Sequence, residues 1–445
     1  MLLSTVLLIY FLSHTSPAEA RILQRLTQHV VTFTQAWAAS PADAQLTIRT
    51  RPTTVFRPRS VDLLQRARLR SLQYHQSEAV EWYQTEVEGP DVQDRHTLSQ
   101  LARMAGNAYA LPGRSNWYDI DGAWNNSFPF GWEDHANGFR GNVFLSSDNS
   151  TVVLSIKGTT VQGPTSKKDK FNDNLLFSCC CARVDFSWVF RTVCNCYAKN
   201  WRCDDTCLSD ALIQDSLFYS TGVKLVNDLI FLYPSANIWL VGHSLGGALA
   251  SLLGATYGFP AVAFESPGER LAATRLHLPL PPAPNSSYSS LHANRRIAPL
   301  AVTHVYHNAD PIPVGACTGS LSPCAQAGYA LESRCHLGKS IVYDTVNVLG
   351  WKVDVRKHVI RNVIQEVVER DITWPDPDPD GGDEAVSRWY AFWGWHRKGR
   401  KKKGDEMPQV EVPTAREEID CVDCFKWEFG DFKDRPESEP SEPSD

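Results

Sequence analysis

The chain has 445 residues, of which 43% are hydrophobic and 21% charged, so it is not a wholly disordered protein and is long enough for one or two folded domains. Its 44 basic and 50 acidic side chains give a net charge of −6, which argues against a dedicated nucleic-acid-binding protein. No nucleic-acid partner is therefore predicted.

The N-terminus has the pattern of a targeting segment. Residues 2–12 are an uncharged, mostly apolar run, and residues 18–20 (AEA) have the small-x-small form of a cleavage site. Because a membrane-spanning helix needs about 20 apolar residues, this run is short for a permanent anchor. We expect residues 1–20 to be a signal peptide or a signal anchor, and either one directs the protein into the secretory pathway.

Cysteine usage agrees with that route. The 12 cysteines are an even number in three groups, which is typical of a disulfide framework. The C-x-x-C spacing of Cys421 and Cys424 makes zinc the alternative, but no matching second pair accompanies it, and no metal site is predicted. Three Asn-x-Ser/Thr sequons mark candidate glycosylation sites at Asn125, Asn149 and Asn285.

The first predicted elements are helices. Residues 21–90 are interpreted as a helical N-terminal region, because apolar positions in residues 61–83 recur with helical spacing. Residues 90–111 predict a second helix, with Pro90 in its first turn, where no backbone N–H is needed.

Residues 91–374 alternate strand and helix patterns, which predicts a single α/β domain. Its predicted elements are a hairpin at 142–157, helices at 214–231, 246–257 and 353–369, and strands at 237–242, 261–264 and 302–306.

Residues 375–445 are predicted to be a low-complexity C-terminal region that contains the C-x-x-C segment and ends in a disordered acidic tail. Within it, residues 389–403 place aromatic side chains beside a basic run, a pattern that suits an anionic membrane surface. Gly394 and Gly399 interrupt any helical face, and we favour a solvated linker.

The most informative motif is Gly242-His243-Ser244-Leu245-Gly246, which matches G-x-S-x-G. A nucleophile at a sharp strand-to-helix turn needs small neighbours, so that strand and helix can pass closely. An apolar strand precedes this motif, and an Ala/Gly-rich helix follows it. Ser244 is therefore the candidate nucleophile, with the backbone N–H of Leu245 placed to bind an oxyanion.

A serine nucleophile needs a base and an orienting carboxylate, which follow it in the order acid, then histidine, in this class of fold. Asp310 follows the strand 302–306 in a proline-stiffened loop, and is preferred as the acid over Asp344 and Asp354. For the base, spacing alone leaves His336 and His358 equally open.

Several segments resemble the class 3 (fungal triacylglycerol) lipases. Residues 242–248 (GHSLGGA) resemble their nucleophile turn, and residues 310–313 (DPIP) are similar to the D-x-V-P around their catalytic aspartate. Residues 155–160 (SIKGTT) resemble the strand and turn that carry their oxyanion residue. The resemblance puts the oxyanion role on Thr159.

Longer blocks resemble the fungal autophagy lipases, which disintegrate autophagic bodies in the vacuole. These blocks are residues 307–313 (HNADPIP), 332–338 (ESRCHLG), 340–344 (SIVYD) and 421–430 (CVDCFKWEFG). The resemblance implies an α/β-hydrolase fold stapled by disulfides, with Ser244 as nucleophile, Asp310 as acid and His358 as base. It implies no cofactor, and it favours residues 161–171 as a lid.

The implied function is hydrolysis of acyl esters in triacylglycerol and membrane phospholipids, so membrane lipids are the expected partners. That family carries an uncleaved single-pass type II anchor at the endosomal multivesicular body, from which the enzyme reaches the vacuole lumen; the short apolar run here departs from that pattern. The alternatives are a secreted triacylglycerol lipase or esterase, and a lipid-binding protein whose catalytic residues have decayed.

Overall fold

The computed structural model describes residues 47–124, 126–133, 138–184, 190–214, 217–283, 297–317, 324, 328–376, 408–418 and 421–432. The strands are β1 (Thr50–Pro58), β2 (Trp82–Pro90), β3 (Asn126–Phe130), β4 (Gly141–Leu145), β5 (Thr151–Ile156), β6 (Ala182–Val184), β7 (Phe190–Thr192), β8 (Arg202–Asp204), β9 (Asn237–His243), β10 (Ala261–Phe264), β11 (Val302–His307), β12 (Lys339–Tyr343), β13 (Trp374–Pro375), β14 (Gln409–Val410) and β15 (Glu428–Gly430). The α-helices are α1 (Val61–Tyr74), α2 (Arg95–Asn107), α3 (Ser166–Phe177), α4 (Asp205–Gln214), α5 (Phe218–Leu232), α6 (Leu245–Tyr257), α7 (Arg270–Arg275), α8 (Thr345–Val348) and α9 (Ile360–Asn362).

A seven-stranded mixed sheet carries the site, in the order β12-β11-β10-β9-β5-β4-β3. Strands β5, β9, β10, β11 and β12 are parallel, whereas β4 and β3 continue the sheet antiparallel. This architecture confirms the predicted α/β class of the hydrolase type. The parallel arrangement brings the carboxyl ends of β9, β10 and β11 to the same edge of the sheet, where ligands bind in open α/β sheets.

The hydrophobic core lies on both faces of this sheet. Along β9, Ile238 and Leu240 belong to one buried cluster, while Trp239 and Val241 belong to another. Because successive side chains of a strand point to opposite faces, the strand is buried on both sides and reads as a continuous apolar run in the sequence.

The predicted helical N-terminal region is wrong for most of its described part. Only α1 is helical; it ends at Tyr74, where His75 takes a left-handed conformation with φ 54°. The chain then returns as β2, which pairs antiparallel with β1 along its whole length. Strand β2 alternates partly buried Thr85 and Val87 with exposed neighbours, and its partner lies far back in the sequence, so a helical-period search misses the pairing.

Pro90 consequently closes β2 and does not start a helix. The helix α2 begins at Arg95, because the Asp94 carboxylate accepts the Thr97 N–H at 2.9 Å and caps it.

Two other helix predictions need correction. The expected helix 214–231 is α5, which begins later, at Phe218, whereas Gln214 is the last residue of α4. The expected helix 353–369 is a 3₁₀ turn (Val355–His358), the short α9 and a π-helical turn (Val363–Val368). The Asp354 carboxylate accepts the Arg356 N–H at 2.9 Å and thereby caps the start of the 3₁₀ turn that contains His358.

All 12 cysteines are paired, and no thiol is free. The pairs are Cys179–Cys424, Cys180–Cys203, Cys181–Cys194, Cys196–Cys207, Cys317–Cys324 and Cys335–Cys421. The C-x-x-C cysteines thus bond to two different partners in the α/β domain, which confirms the disulfide framework over the zinc alternative.

Part of the C-terminal region predicted to be low-complexity is integrated into the domain. Strand β14 pairs with β13, and β15 pairs with β8. Glu418 is buried against His336. The composition of this region is polar and acidic, so its attachment by two disulfides and one buried ion pair is invisible to a compositional reading.

Several predictions concern residues outside the described ranges: the leader, the segment 389–403, Asn125 and Asn285. Within the described residues, no helix combines the length and apolarity needed to span a membrane. The hairpin of β4 and β5 agrees with prediction, and Asn149 is exposed in its turn, with φ 56°. Its glycosylation stays a prediction.

Candidate active site

Ser244 lies at the turn between β9 and α6, with φ 59° and ψ −132°. This conformation is strained for a residue with a Cβ, and the tight packing around it maintains it. A Cβ on Gly242 would collide with the backbone of Gly246, and one on Gly246 would collide with the carbonyl of Ile156. The glycines therefore let α6 approach the sheet, and the turn holds Ser244 at the sheet edge.

The structure brings Ser244, His358 and Asp310 together. The His358 Nε2 lies 2.8 Å from the Ser244 Oγ, and its Nδ1 lies 2.6 Å from the Asp310 Oδ2. Asp310 is fully buried, and its Oδ1 accepts the Ile312 N–H at 3.0 Å. With Nδ1 donating to the carboxylate, Nε2 is left as the acceptor for the serine hydroxyl proton.

Electrostatics favour an ionised Asp310. Burial acts to raise the pKa of this carboxyl, but the charge of His358 and hydrogen bonds from His358 and Glu265 outweigh it, so the pKa is lowered.

The competing candidates have other partners. Both ring nitrogens of His336 are engaged, Nδ1 with Glu418 at 2.8 Å and Nε2 with the Ser266 carbonyl at 3.1 Å. Asp344 is buried and caps α8. Asp354 caps the 3₁₀ turn that contains His358.

The sequence analysis assigned no role to His243 or Tyr109, which hold the turn that carries His358. The His243 Nε2–H donates to the His358 carbonyl at 2.7 Å, and the Tyr109 hydroxyl lies 2.8 Å from the His243 Nδ1. Burial lowers the pKa of His243 to about 3, so its ring is neutral and accepts the Tyr109 proton. His243 could have been noticed in the sequence because it lies inside the G-x-S-x-G motif, whereas no motif includes Tyr109.

The loop with Thr159 packs directly against Ser244. A Cβ on Gly158 would lie 2.3 Å from the His243 carbonyl oxygen and 3.0 Å from the Ser244 Cβ, so only glycine permits this approach. The Thr159 hydroxyl donates to buried Asp173, and the Thr160 N–H donates to the Asp169 Oδ2 at 2.9 Å. Burial raises the pKa of Asp173 to about 7.

A buried ion pair completes this loop. The Lys157 Nζ lies 2.8 Å from the Asp169 Oδ2 and also donates to the Gly158 carbonyl at 2.7 Å. The predicted lid, residues 161–171, therefore contains two parts: an exposed turn, with Val161 56% exposed, and the first residues of α3, which are tied to the loop through Asp169.

The chain is similar to a family of known lipases. The family model "Lipase (class 3)" matches residues 154–317. Among solved structures, Lip2 lipase from Yarrowia lipolytica has 20% identity and a TM-score of 0.31, over 55% of this chain and 77% of that one. A triacylglycerol lipase from Penicillium expansum has 17% identity and a TM-score of 0.29, over 57% of this chain and 80% of that one.

Sequence relatives are much nearer. A protein of Cryptococcus neoformans, named "Putative lipase ATG15", is 48% identical over 382 residues, which are 79% of this chain and 70% of the relative. Proteins of the same name from Mycosarcoma maydis and Saccharomyces cerevisiae are each 42% identical, over 86% and 78% of this chain and 76% and 59% of their own lengths.

The α/β fold and the family model together define an ester hydrolase of the class 3 lipase type. Within that class, identities of 42–48% over more than three quarters of the chain are decisive. The chain belongs to the ATG15 family of lipases.

Proposed function

We propose that this protein is a serine lipase and phospholipase that hydrolyses acyl esters of membrane lipids, with Ser244, His358 and Asp310 as its catalytic residues. The observation that carries the proposal is the pair of hydrogen bonds made by His358, at 2.8 Å to Ser244 and 2.6 Å to Asp310. These contacts join residues from three separate loops in the geometry that nucleophilic acyl transfer requires.

The proposed mechanism proceeds through an acyl-enzyme. The Ser244 Oγ attacks the ester carbonyl while His358 accepts its proton, and Asp310 stabilises the resulting imidazolium. The carbonyl oxygen becomes an oxyanion beside the N–H groups of Leu245 and Thr159. Collapse breaks the ester C–O bond, and His358 returns the proton to the leaving alcohol. A water then repeats the sequence and releases the fatty acid.

The substrate and location follow from the family resemblance and the disulfides. Six disulfides are typical of a protein that folds in an oxidising compartment, which supports the lumen of the secretory pathway. Within it, we propose phospholipid and triacylglycerol substrates, passage through the multivesicular endosome, and lysis of autophagic bodies and vesicles inside the vacuole. A protein stapled in this way suits a compartment rich in proteases.

Vesicle hydrolysis tests the proposal. Purified protein is incubated with phosphatidylcholine vesicles, phosphatidylserine vesicles and triacylglycerol emulsions, and released fatty acid is quantified. Ser244→Ala should lower turnover by a factor on the order of 10⁴ or more without changing vesicle binding.

Ser251→Ala, another buried serine on α6, is the matched control and should retain hydrolysis. If Ser244→Ala hydrolyses and lyses vesicles like the wild type, the mechanism is refuted. Hydrolysis of triacylglycerol alone by material recovered from the medium with a mature N-terminus near Arg21 would favour the secreted lipase. Vesicle binding without any hydrolysis would favour the lipid-binding alternative.

A further inference from the structure

A second buried carboxyl group lies beside Asp310. Ser244 follows β9, Glu265 follows β10, and Asp310 lies three residues after β11, so adjacent parallel strands deliver all of them to one sheet edge. Glu265 is fully buried and adopts φ 45°, a conformation that is uncommon for a residue with a Cβ. Such strain persists only where the surroundings enforce it, and it clusters at functional sites.

The hydrogen bonds of Glu265 show how its side chain is held. Its Oε1 accepts the His307 N–H at 3.1 Å. Its carboxyl group also lies beside that of Asp310, close enough for a hydrogen bond if one of the two groups is protonated. Within the described residues, no donor points at the other oxygen, Oε2, although it is completely buried. Two carboxyl groups can hydrogen-bond only when one of them carries a proton, and an oxygen at which no donor points is the position for that proton.

Among the described residues near Glu265, none is a cation that forms an ion pair with it. The His307 Nε2 lies 3.8 Å from the Glu265 Oε1, but it donates to the Lys357 carbonyl at 3.2 Å. Burial lowers the pKa of His307 to about 4, so its ring is neutral. Burial and the charge of Asp310 raise the pKa of Glu265 well above its usual range.

We propose that Glu265 is a positioning residue that, as a neutral carboxylic acid, donates a hydrogen bond to Asp310 and keeps that carboxylate ionised and aimed at His358. The inference rests on the proposed function for its kinetic consequence. The proton shared by the two carboxyl groups does not depend on whether the protein is catalytically active. Among the described residues no hydrogen bond joins the Glu265 side chain to Ser244, so Glu265 acts through Asp310.

The pair Glu265→Gln and Glu265→Leu tests this role. The Gln amide can donate to Asp310 while its oxygen still accepts the His307 N–H, so kcat should stay within about 3-fold of wild type. Leu removes the donor, so kcat should fall by about 10- to 100-fold with KM unchanged, since a hydrogen bond to a charged group is lost. Glu269→Gln is the control for loss of a buried glutamate: Glu269 is equally buried, but its carboxylate bonds to Ser251, Leu337 and His304 and not to Asp310, so kcat of the folded variant should not change.

An infrared difference spectrum provides the second readout. Wild type minus Glu265→Gln at neutral pH should contain the band of a protonated carboxyl group, and this measurement needs no activity and no Leu variant. A missing band overturns the proposal. So does wild-type kcat in folded Glu265→Leu, or a loss in Glu265→Gln as large as in Glu265→Leu. Failure of the proposed function is separate, because it would appear as hydrolysis that persists in Ser244→Ala.

Discussion

At the scale of single residues, buried charges in this protein are compensated by specific partners. His336 is the clearest case outside the active site, because both of its ring nitrogens face acceptors, Glu418 and the Ser266 carbonyl. A ring that donates from both nitrogens is an imidazolium. The side chain therefore forms a buried ion pair with a segment that lies 82 residues further along the chain.

This pair predicts a pH dependence of stability. Burial acts to lower the pKa of His336, but the charge and hydrogen bond of Glu418 raise it to about 9. Because the folded pKa exceeds the unfolded value of about 6.5, the stabilisation is fully present below pH 6.5 and is lost as the pH rises through 9, a loss on the order of 3 kcal/mol. Thermal unfolding followed between pH 6 and pH 10 should show this decline in the wild type.

His336→Gln should lower the melting temperature at pH 6 and flatten the curve above it. Parallel wild-type and variant curves across that interval would contradict the assignment of an ion pair.

At the scale of elements, α3 holds the loop that flanks Ser244. Asp169, on its first turn, accepts from Lys157 and from the Thr160 N–H, and Asp173 accepts from Thr159. The loop with the candidate oxyanion residue is thus tied to a helix at two points. Movement of α3 would carry Thr159 with it.

Asp169→Ala should therefore destabilise the protein and lower its activity. It leaves the buried Lys157 ammonium without its carboxylate, a loss of about 3–5 kcal/mol in the free energy of unfolding, and it frees the Thr160 N–H. Urea unfolding and ester hydrolysis measure the two effects. Lys167→Ala, at an exposed position on the same helix, should change neither. Wild-type stability in Asp169→Ala would show that the ion pair is not needed.

At the scale of the whole molecule, long-range disulfides attach the C-terminal segment to the α/β domain. Cys179–Cys424 spans 245 residues and Cys335–Cys421 spans 86, whereas Cys317–Cys324 spans only 7. A cross-link restricts the unfolded chain more strongly when it closes a longer loop. The C-terminal segment consequently contributes to the stability of the domain.

The double variant Cys179→Ser/Cys424→Ser should lower the free energy of unfolding by about 2–5 kcal/mol. Cys317→Ser/Cys324→Ser removes the short loop and should cost less. Denaturant unfolding of the two variants provides the comparison. A larger loss in the short-loop variant would indicate that the long-range link adds little to the domain.

Much of the fold could be read from local pattern. The apolar run before Ser244 predicted β9, the alternation around residues 142–157 predicted the β4–β5 hairpin, and both were confirmed. The β1–β2 pairing was missed, because its hydrogen-bonded partners lie on either side of a helix. The helix expected at 353–369 is interrupted at Val359, whose backbone is extended (φ −70°, ψ 125°), and the apolar spacing of the sequence does not reveal this break.

The candidate site divides in the same way. Ser244 and Asp310 were identified by the motifs around them, whereas His336 and His358 were indistinguishable by spacing. Only the folded chain shows that one ring faces Glu418 and the other faces Ser244. No sequence motif marks Glu265, because its proposed role depends on the Asp310 carboxyl group beside it.

The structure explains part of the length and of the cysteine content of the chain. By itself the sequence determined the α/β class, the strand-to-helix turn at Ser244, the even cysteine count and the family resemblance, because each depends on residues that are neighbours along the chain. Only the tertiary structure decided the six cysteine partners, the histidine that meets Ser244 and the two carboxyl groups that share a burial site. These depend on distances between segments far apart in sequence, which are set by the packing of the whole sheet and its helices.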